Sequence, residues 1–261
     1  MEQFKSITLL ITHYNRSQSL ERLLKSFAAQ EIVFGDIVVS DDGSKPEQVG
    51  YLKTIEKQYG FRLITVPKNA GLGNNINKGQ DAVKTPYTLY VQEDFDPKPG
   101  YAEHLKDALD IMDERQDIDM VRFYAYFKYP YLKPFRKGFS EMIFKIWYPG
   151  YRKFHVYSDH PHLRRSTFFE KFGRYPEGIK GDKTEFTMAK SFLKNKGKAM
   201  IYEDVKGLFD QVNSADEPST MTRSDLRQSS NFFISLVRAF YRNVKHTADL
   251  ILFKPHKPGG K

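Results

Sequence analysis

The chain has no cysteine and a single tryptophan among its 261 residues. Without cysteine there are no disulfides and no thiolate metal sites, which favours a cytosolic setting. No apolar run approaches the roughly 20 residues of a membrane-spanning helix. The opening stretch, MEQFKSITLLITHYN, is too short and too polar in its apolar part for a secretory signal, and it reads as a first β-strand. Internal repeats and low-complexity segments are also missing.

What is present begins with size and charge. At 40% hydrophobic the chain can bury a sizeable core, and its length suits one large domain or a domain with an appendage. There are 41 basic against 32 acidic residues, a formal net charge of +9. That excess points to anionic partners such as nucleotides, nucleic acid or an acidic membrane surface, although solubility alone accounts for it as well.

The first half alternates strands and helices. Ile7–Thr12 is a compact apolar strand. After it, Ser17 or Ser19 can cap a helix whose Leu20, Leu23, Leu24 and Phe27 fall at i, i+3, i+4, i+7. Ile37–Ser40 is a second strand. A helix opened by Pro46 and stopped by Gly60 follows, with Val49, Leu52, Ile55 and Tyr59 inward. Phe61–Val66, Tyr87–Gln92 and Met120–Tyr124 read as further strands. Helices run from the Gly/Asn turn at Asn69–Gly73 to about Val83 and over Tyr101–Met112. Strands separated by amphipathic helices imply βαβ units and a largely parallel sheet, in which ligands bind beyond the carboxyl ends of the strands. The notable polar residues occur at those ends: Thr12-His13-Tyr14-Asn15-Arg16, Asp41-Asp42-Gly43-Ser44 and Glu93-Asp94-Phe95-Asp96.

The last cluster is the most telling. Three carboxylates in four residues repel one another unless something positive sits among them. Carboxylate oxygens on a loop suit Mg²⁺ or Mn²⁺, which takes one or two protein carboxylates and completes its shell with water and phosphate oxygens. A solvated acidic turn is the bland alternative. Asp41-Asp42-Gly43-Ser44 is either a helix-entry turn capped by Asp42 or Ser44, or a place where a carboxylate accepts hydrogen bonds from a base N–H or ribose hydroxyls. Thr12–Arg16 is either a loop with a cap or a pocket for base and diphosphate. The stretch GLGNNINKG is not a phosphate loop, because Lys78 comes too late for that motif.

The motifs ITLLITHYNR, IVVSDDGS, NAGLGNNINKG and LYVQEDFDP, in this order and spacing, resemble the nucleotide-binding half of family 2 glycosyltransferases of the GT-A fold. Further on, HPHLRRSTFFEKFGRYPEGIKGDKTEF is similar to that family's acceptor half. The resemblance spans roughly residues 5–213. It implies an α/β, Rossmann-like, mostly parallel central sheet flanked by helices, with an acceptor-side subdomain and a C-terminal amphipathic helix. It divides the chain into a nucleotide-sugar-binding half (1–123), an acceptor-side half of the same domain (124–213) and a C-terminal helical extension with a basic tail (214–261).

The resemblance also implies roles. Thr12 and Asp42 contact the base, with Tyr14, Asn15, Arg16 and Asp41 in the same pocket. Asn69, Gly71, Asn74 and Lys78 pack beside base and sugar. Glu93, Asp94 and Asp96 form the Asp-x-Asp region, with Asp94 and Asp96 as metal ligands. Asp182 stands where such enzymes place the catalytic base, and Glu185, one turn on, orients it or the acceptor. The alternative for Asp182 is helix N-capping. Two departures stand out. Glu93 replaces a common aspartate, and LFDQVN carries Asp210 and Gln211 where some members place a metal-binding histidine. The implied activity is inverting transfer from a nucleotide-sugar, with UDP the commonest nucleotide, to a saccharide or lipid-linked saccharide. The setting is cell-surface polysaccharide or glycolipid synthesis, in the cytoplasm or on the inner face of the membrane. Rival readings are a non-catalytic nucleotide- or sugar-binding relative, a GT-A-like nucleotidyltransferase and a nucleic-acid-binding module. The carboxylates at the strand ends repel phosphate backbones, so no nucleic-acid partner is expected.

Two segments stay open in their role. Residues 123–157 interleave aromatics with Lys and Arg, and Glu141 is their only acid. They form either a subdomain core or an acceptor- or membrane-facing flap. A helix around Phe232–Val244 carries Phe233, Val237, Phe240 and Val244 on one side and Arg238, Arg242 and Lys245 on the other. Its apolar side is expected to pack on the chain's own domain, the alternative being an anionic bilayer. The tail KPHKPGGK is expected to be disordered.

Overall fold

The computed structural model describes residues 2–212 and 232–254. A nine-stranded sheet forms the centre, in the order β3-β2-β1-β4-β9-β6-β10-β8-β7. The strands are β1 (Glu2–His13), β2 (Ile32–Asp41), β3 (Arg62–Ile64), β4 (Tyr87–Gln92), β6 (Met120–Arg122), β7 (Leu132–Arg136), β8 (Phe139–Met142), β9 (His162–Arg165) and β10 (Ala199–Tyr202). Strands β1 to β4 are mutually parallel, as their helical crossovers require. β9 lies antiparallel between β4 and β6, and β8 is antiparallel to β10 and β7. Every strand except β8 and β9 therefore points the same way. A small second sheet pairs β5 (Phe95–Pro97) with β11 (Phe209–Gln211).

Alternation along β1 and β4 sends side chains to both faces of the sheet, so each strand feeds two cores. Leu9, Ile11, Leu89 and Val91 pack with Leu20, Leu24 and Phe27 of α1 (Ser17–Ala29), Leu52 of α2 (Pro46–Tyr59) and Leu105 of α4 (Tyr101–Glu114). Leu10, Val38 and Tyr90 face the other way, toward Ile76 of α3 (Leu72–Asp81), Phe168 and Phe172 of α5 (Phe168–Phe172) and Met188 and Phe192 of α6 (Gly181–Lys194). Each such buried side chain contributes about 1.5–3 kcal/mol. The helix ends follow the sequence in part. Gly60 closes α2 in the left-handed conformation, at φ 67°. Neither Ser17 nor Ser19 caps α1, whose N-cap is Arg16. Instead Gln48 Oε1 accepts the Ser17 N–H at 3.0 Å. Likewise neither Asp42 nor Ser44 caps α2, where Lys45 holds the N-cap position.

Two close approaches fix the helices that carry the site. A Cβ on Gly79 would lie 2.5 Å from Leu10 Cδ1 and 3.0 Å from Ser40 Cβ, so α3 rests directly on β1 and β2. A Cβ on Gly73 would lie 2.2 Å from the Pro176 carbonyl oxygen, so the start of α3 abuts the loop before α6.

The aromatic-basic segment is mainly core. Tyr124, Tyr129, Phe139, Met142, Phe154 and Tyr157 are buried, and β7 and β8 extend the sheet. Trp147, at 73% exposure, Tyr126 and Phe135 are the exposed exceptions.

The C-terminal helix α7 (Phe232–Leu252) exists but is turned over relative to expectation. Val237, Phe240 and Val244 are exposed at 67%, 72% and 51%. Contact with the body runs through the opposite side. Arg242 stacks on Tyr151 of a short 3-10 turn (Tyr151–Phe154), His246 packs on Phe154 and Phe186, and Leu250 is buried. Those aromatic rings offer cation–π and edge contacts that a Val or Phe stripe would not use as well. The Phe233 side chain and the KPHKPGGK segment from residue 255 lie outside the described residues.

Candidate active site

Strand register brings the three polar clusters level with one another. Thr12 pairs with Ser40 and with Gln92, and His13 pairs with Asp41. The loops after β1, β2 and β4 therefore leave the sheet side by side, although they are up to 80 residues apart in sequence.

The acids after β2 serve different ends. Asp41 is fully buried. His13 Nδ1 lies 2.8 Å from its Oδ1, and the Ser44 hydroxyl, the Ser44 N–H and the Thr65 hydroxyl all donate to it. Burial raises its carboxyl, but the bonds from His13, Ser44 and Thr65 outweigh that and hold it well below the usual range. Asp42 accepts the Ala70 N–H at 2.8 Å and the Gly71 N–H at 3.0 Å, which clamps the loop before α3 onto β2. Burial pushes the Asp42 carboxyl up against those bonds. Gly71 can take this place because its φ of 89° suits glycine. Lys78 reaches the Asp41 carbonyl, and its burial lowers its pKa against the pull of Asp41 and Asp42. The same loop cluster holds Asn15, whose N–H donates to Ser44 Oγ and whose Oδ1 accepts the Lys45 N–H. Thr12 Oγ1 and Tyr90 OH are 3.0 Å apart. Tyr14 is half-buried and Asn69 is exposed. Asn74 donates to Glu177, in the loop before α6, at 2.8 Å.

The corner at 93–96 is built around arginines and a glutamine. Arg16 Nη1 lies 3.7 Å from Glu93 Oε1 and 3.5 Å from Asp94 Oδ2. Arg22 Nε donates to Asp96 Oδ2 at 2.7 Å. In the small sheet Asp210 pairs with Asp96 and Gln211 with Phe95, so the LFDQVN stretch does lie against the Asp-x-Asp segment. Gln211 Nε2 donates to Asp94 Oδ2 at 2.9 Å, and Tyr126 OH donates to Gln211 Oε1 at the same distance. Burial raises the Asp96 carboxyl against the lowering effect of Arg22. Asp94 Oδ1 and Asp96 Oδ1 are both buried without a hydrogen-bond partner. Orphaned carboxylate oxygens are costly unless a ligand completes them, and two of them fit a hard divalent cation. Among the described residues no group of three or more His, Cys, Asp or Glu converges as a complete metal cage. A cation here would complete its shell from water and substrate phosphate, as magnesium does.

In the second half of the chain, α6 begins against α3: a Cβ on Gly181 would lie 3.5 Å from Leu72 Cδ2. Asp182, in the first turn, is exposed, and its Oδ1 accepts the Lys183 N–H. The α6 N-cap is Lys180, so the capping alternative for Asp182 does not apply. Glu185 Oε1 accepts the Ser158 hydroxyl at 2.8 Å and the Asp159 N–H at 3.1 Å.

Sequence reasoning missed what lies below. Asp159 is buried with Tyr157, Tyr175 and Arg164. Its Oδ1 accepts from Tyr157 OH at 2.5 Å and Tyr175 OH at 3.2 Å, and Arg164 bonds Tyr175 and Gln80. Burial, then the charge of Glu185, pushes Asp159 up to about 7. Asn77 also escaped notice. It exchanges hydrogen bonds with the Tyr175 backbone and donates to Glu177, splinting the two halves together. No local sequence pattern marks these residues: Asp159 and Tyr175 lie in loops, and Asn77 lies in the mostly polar helix LGNNINKGQD.

The family model for glycosyl transferase family 2 matches residues 8–173. The chain is 24% identical over 153 residues to the cholesterol galactosyltransferase of Borreliella burgdorferi, covering 54% of this chain and 42% of that protein. It is 24% identical over 93 residues to the poly-β-1,6-N-acetyl-D-glucosamine synthase of Staphylococcus epidermidis, covering 36% of this chain and 23% of that protein. It thus spans less than half the length of these curated relatives. Among solved structures it is similar to S. aureus TarS 1–349, with a TM-score of 0.61 and 17% identity over 97% of this chain and 67% of the other. The mannosyltransferase PcManGT from Pyrobaculum calidifontis, solved with GDP-Man and Mn²⁺, gives 0.58 and 12% over 97% and 66%. These likenesses establish the fold, which is the GT-A architecture expected from the motifs.

Proposed function

The chain belongs to glycosyl transferase family 2, and we propose that it moves a sugar from a nucleotide-sugar to a hydroxyl acceptor with inversion at the anomeric carbon. The observation that carries this reading is the level convergence of three strand ends on a corner with two unsatisfied buried carboxylate oxygens. In this reading Thr12, Tyr14, Asn15, Arg16 and Asp42 line the nucleotide pocket. Asn69, Gly71, Asn74 and Lys78 wall it beside base and sugar, and Asp41 fixes the floor through His13, Ser44 and Thr65. Glu93 contributes charge to the rim.

The residues at the corner that would hold Mn²⁺ or Mg²⁺ are Asp94 and Asp96. Such an ion supplies charge stabilisation for the departing diphosphate. Arg16, close to both Glu93 and Asp94, adds a fixed positive charge that needs no reorganisation during reaction. Asp182 takes the proton of the attacking hydroxyl as the new glycosidic bond forms. Glu185, held by Ser158 and the Asp159 backbone, orients that hydroxyl. TarS complexes with UDP and with UDP-GlcNAc favour a UDP-sugar donor by analogy. The relatives' names favour a saccharide or lipid acceptor, and we place the reaction in cell-surface glycan synthesis on the cytoplasmic side.

The test is transfer and hydrolysis assayed over a panel of UDP- and GDP-sugars with and without Mn²⁺. One donor should turn over in a metal-stimulated manner. A chain that binds a nucleotide-sugar yet neither transfers nor hydrolyses any would instead be a non-catalytic relative.

A further inference from the structure

Among the described residues, none covers the apolar side of α7. Val237, Phe240, Tyr241, Val244, Ile251 and Leu252 are all at least half exposed, and Ala248 between them is exposed as well. Their spacing draws one continuous stripe along a helix of 21 residues, about 30 Å long. An uncovered stripe of this length is uncommon on a soluble surface and marks an interaction face. The helix cannot simply rotate to hide it. Arg242 on Tyr151, His246 between Phe154 and Phe186, and buried Leu250 hold the opposite side to the body. Lys194 donates to the Ile251 carbonyl, and Lys190 sits over the Phe253 ring, which tie down the C-terminal end.

Charge decides what covers the stripe. Arg238, Lys245 and Lys254 lie along or beyond it, Lys190 and Lys194 support its end, and Asp249 is the only acid from 237 to 254. Two copies meeting stripe to stripe would bring these cations together, on a chain whose formal net charge is already +9. An anionic surface relieves the same charge. Crossing a bilayer is not an option, since no described helix is long and apolar enough. A polar-anchored helix with an apolar outer stripe and a cationic border instead suits the plane of the lipid headgroups. We propose that α7 docks this enzyme flat onto an anionic bilayer through Val237, Phe240, Tyr241, Val244, Ile251 and Leu252. Lys245 and its basic neighbours meet the lipid phosphates. The proposal does not depend on the donor or on the catalytic roles given above.

The test is co-sedimentation of the full chain with vesicles of phosphatidylcholine alone and of roughly three parts phosphatidylcholine to one part phosphatidylglycerol, in about 20 mM and about 500 mM salt. The intact chain should pellet with the mixed vesicles at low salt and far less with the neutral ones. The double variant Phe240→Ser/Val244→Ser should weaken binding about tenfold or more, and Lys245→Glu by several-fold. Both sites are on the surface, and an unchanged circular-dichroism melt would show that the variants fold. Absence of binding to the mixed vesicles at low salt would overturn the proposal. So would equal binding by the folded double variant. A dimer seen by light scattering for the intact chain and abolished in Phe240→Ser/Val244→Ser would also overturn it, by giving the stripe to a second copy.

Discussion

The rim after β1, β2 and β4 and the network around Asp159 hold their acids with different partners. At the donor rim, Asp41, Asp42, Asp94 and Asp96 each meet a local cation or a set of N–H and O–H donors, and Arg16 and Arg22 stand beside the last two. Two of these carboxylates, Asp94 and Asp96, keep a buried oxygen without a hydrogen-bond partner. On the acceptor side, Asp159 is enclosed by two phenols with Glu185 nearby, and burial raises it to about 7. The first arrangement suits binding a cation and an anion together. The second holds a proton beside Glu185, one helical turn from the residue proposed to take one from the attacking hydroxyl. The difference in partners matches the proposed displacement at a sugar carbon, which needs charge stabilisation where the leaving group departs and a proton acceptor where the hydroxyl enters.

The sharpest way to separate the sides is Asp182→Asn. Transfer should fall about 10³-fold or more while nucleotide-sugar affinity changes little, measured by steady-state turnover and by calorimetry. Asp94→Asn should act on the other side, lowering kcat/KM about 10²–10³-fold and removing stimulation by Mn²⁺. Gly73→Ala attacks the seam between the two, because its Cβ meets the Pro176 carbonyl oxygen at 2.2 Å. It should destabilise the fold by about 1–3 kcal/mol in thermal or denaturant melts. Gln211→His would place an imidazole beside Asp94 and should tighten Mn²⁺ binding about tenfold, read by titration of the metal alone.

The smallest effect is on pH dependence. Asp159 keeps its proton in the folded chain up to about 7, whereas an unfolded aspartate loses it near 3.9. The folded state therefore holds the extra proton between those values, and stability falls as pH rises across that window. Asp159→Asn should flatten this fall, so the variant gains on the parent from about pH 4 to about pH 7 in melting temperature and keeps that gain above it. His155, lowered to about 4 by burial and then by Arg122, works in the opposite sense, with stability rising from about pH 4 to 6.5. The comparison of parent and variant cancels it.

What the sequence revealed follows the same division. The strands and helices of the first half are local patterns: Leu20, Leu23, Leu24 and Phe27 repeat at helical spacing, and β4 runs from Tyr87 to Gln92 as its apolar run indicates. Their order alone brought the three loop clusters to one rim. The later strands are only three to five residues long, and β9 enters between β4 and β6 from 70 residues away. Neither pairing nor direction is encoded in so few residues. The Asp159 network was hidden for a related reason: Tyr157, Tyr175 and Arg164 read as ordinary aromatic and basic residues until the fold joins them. The face of α7 failed differently. Amphipathicity reveals that a helix has two sides but not which one the body takes, and here rings at 151, 154 and 186 recruit Arg242 and His246.

The most direct measurement is calorimetric titration of the nucleotide-sugar that turns over, with and without Mn²⁺, into the intact chain and into Asp94→Asn. Tighter binding with the metal in the intact chain, and no such gain in the variant, is the predicted result. Equal affinity in the intact chain whether or not Mn²⁺ is present, or a metal-dependent gain that survives Asp94→Asn, would contradict a donor site built on residues 93–96.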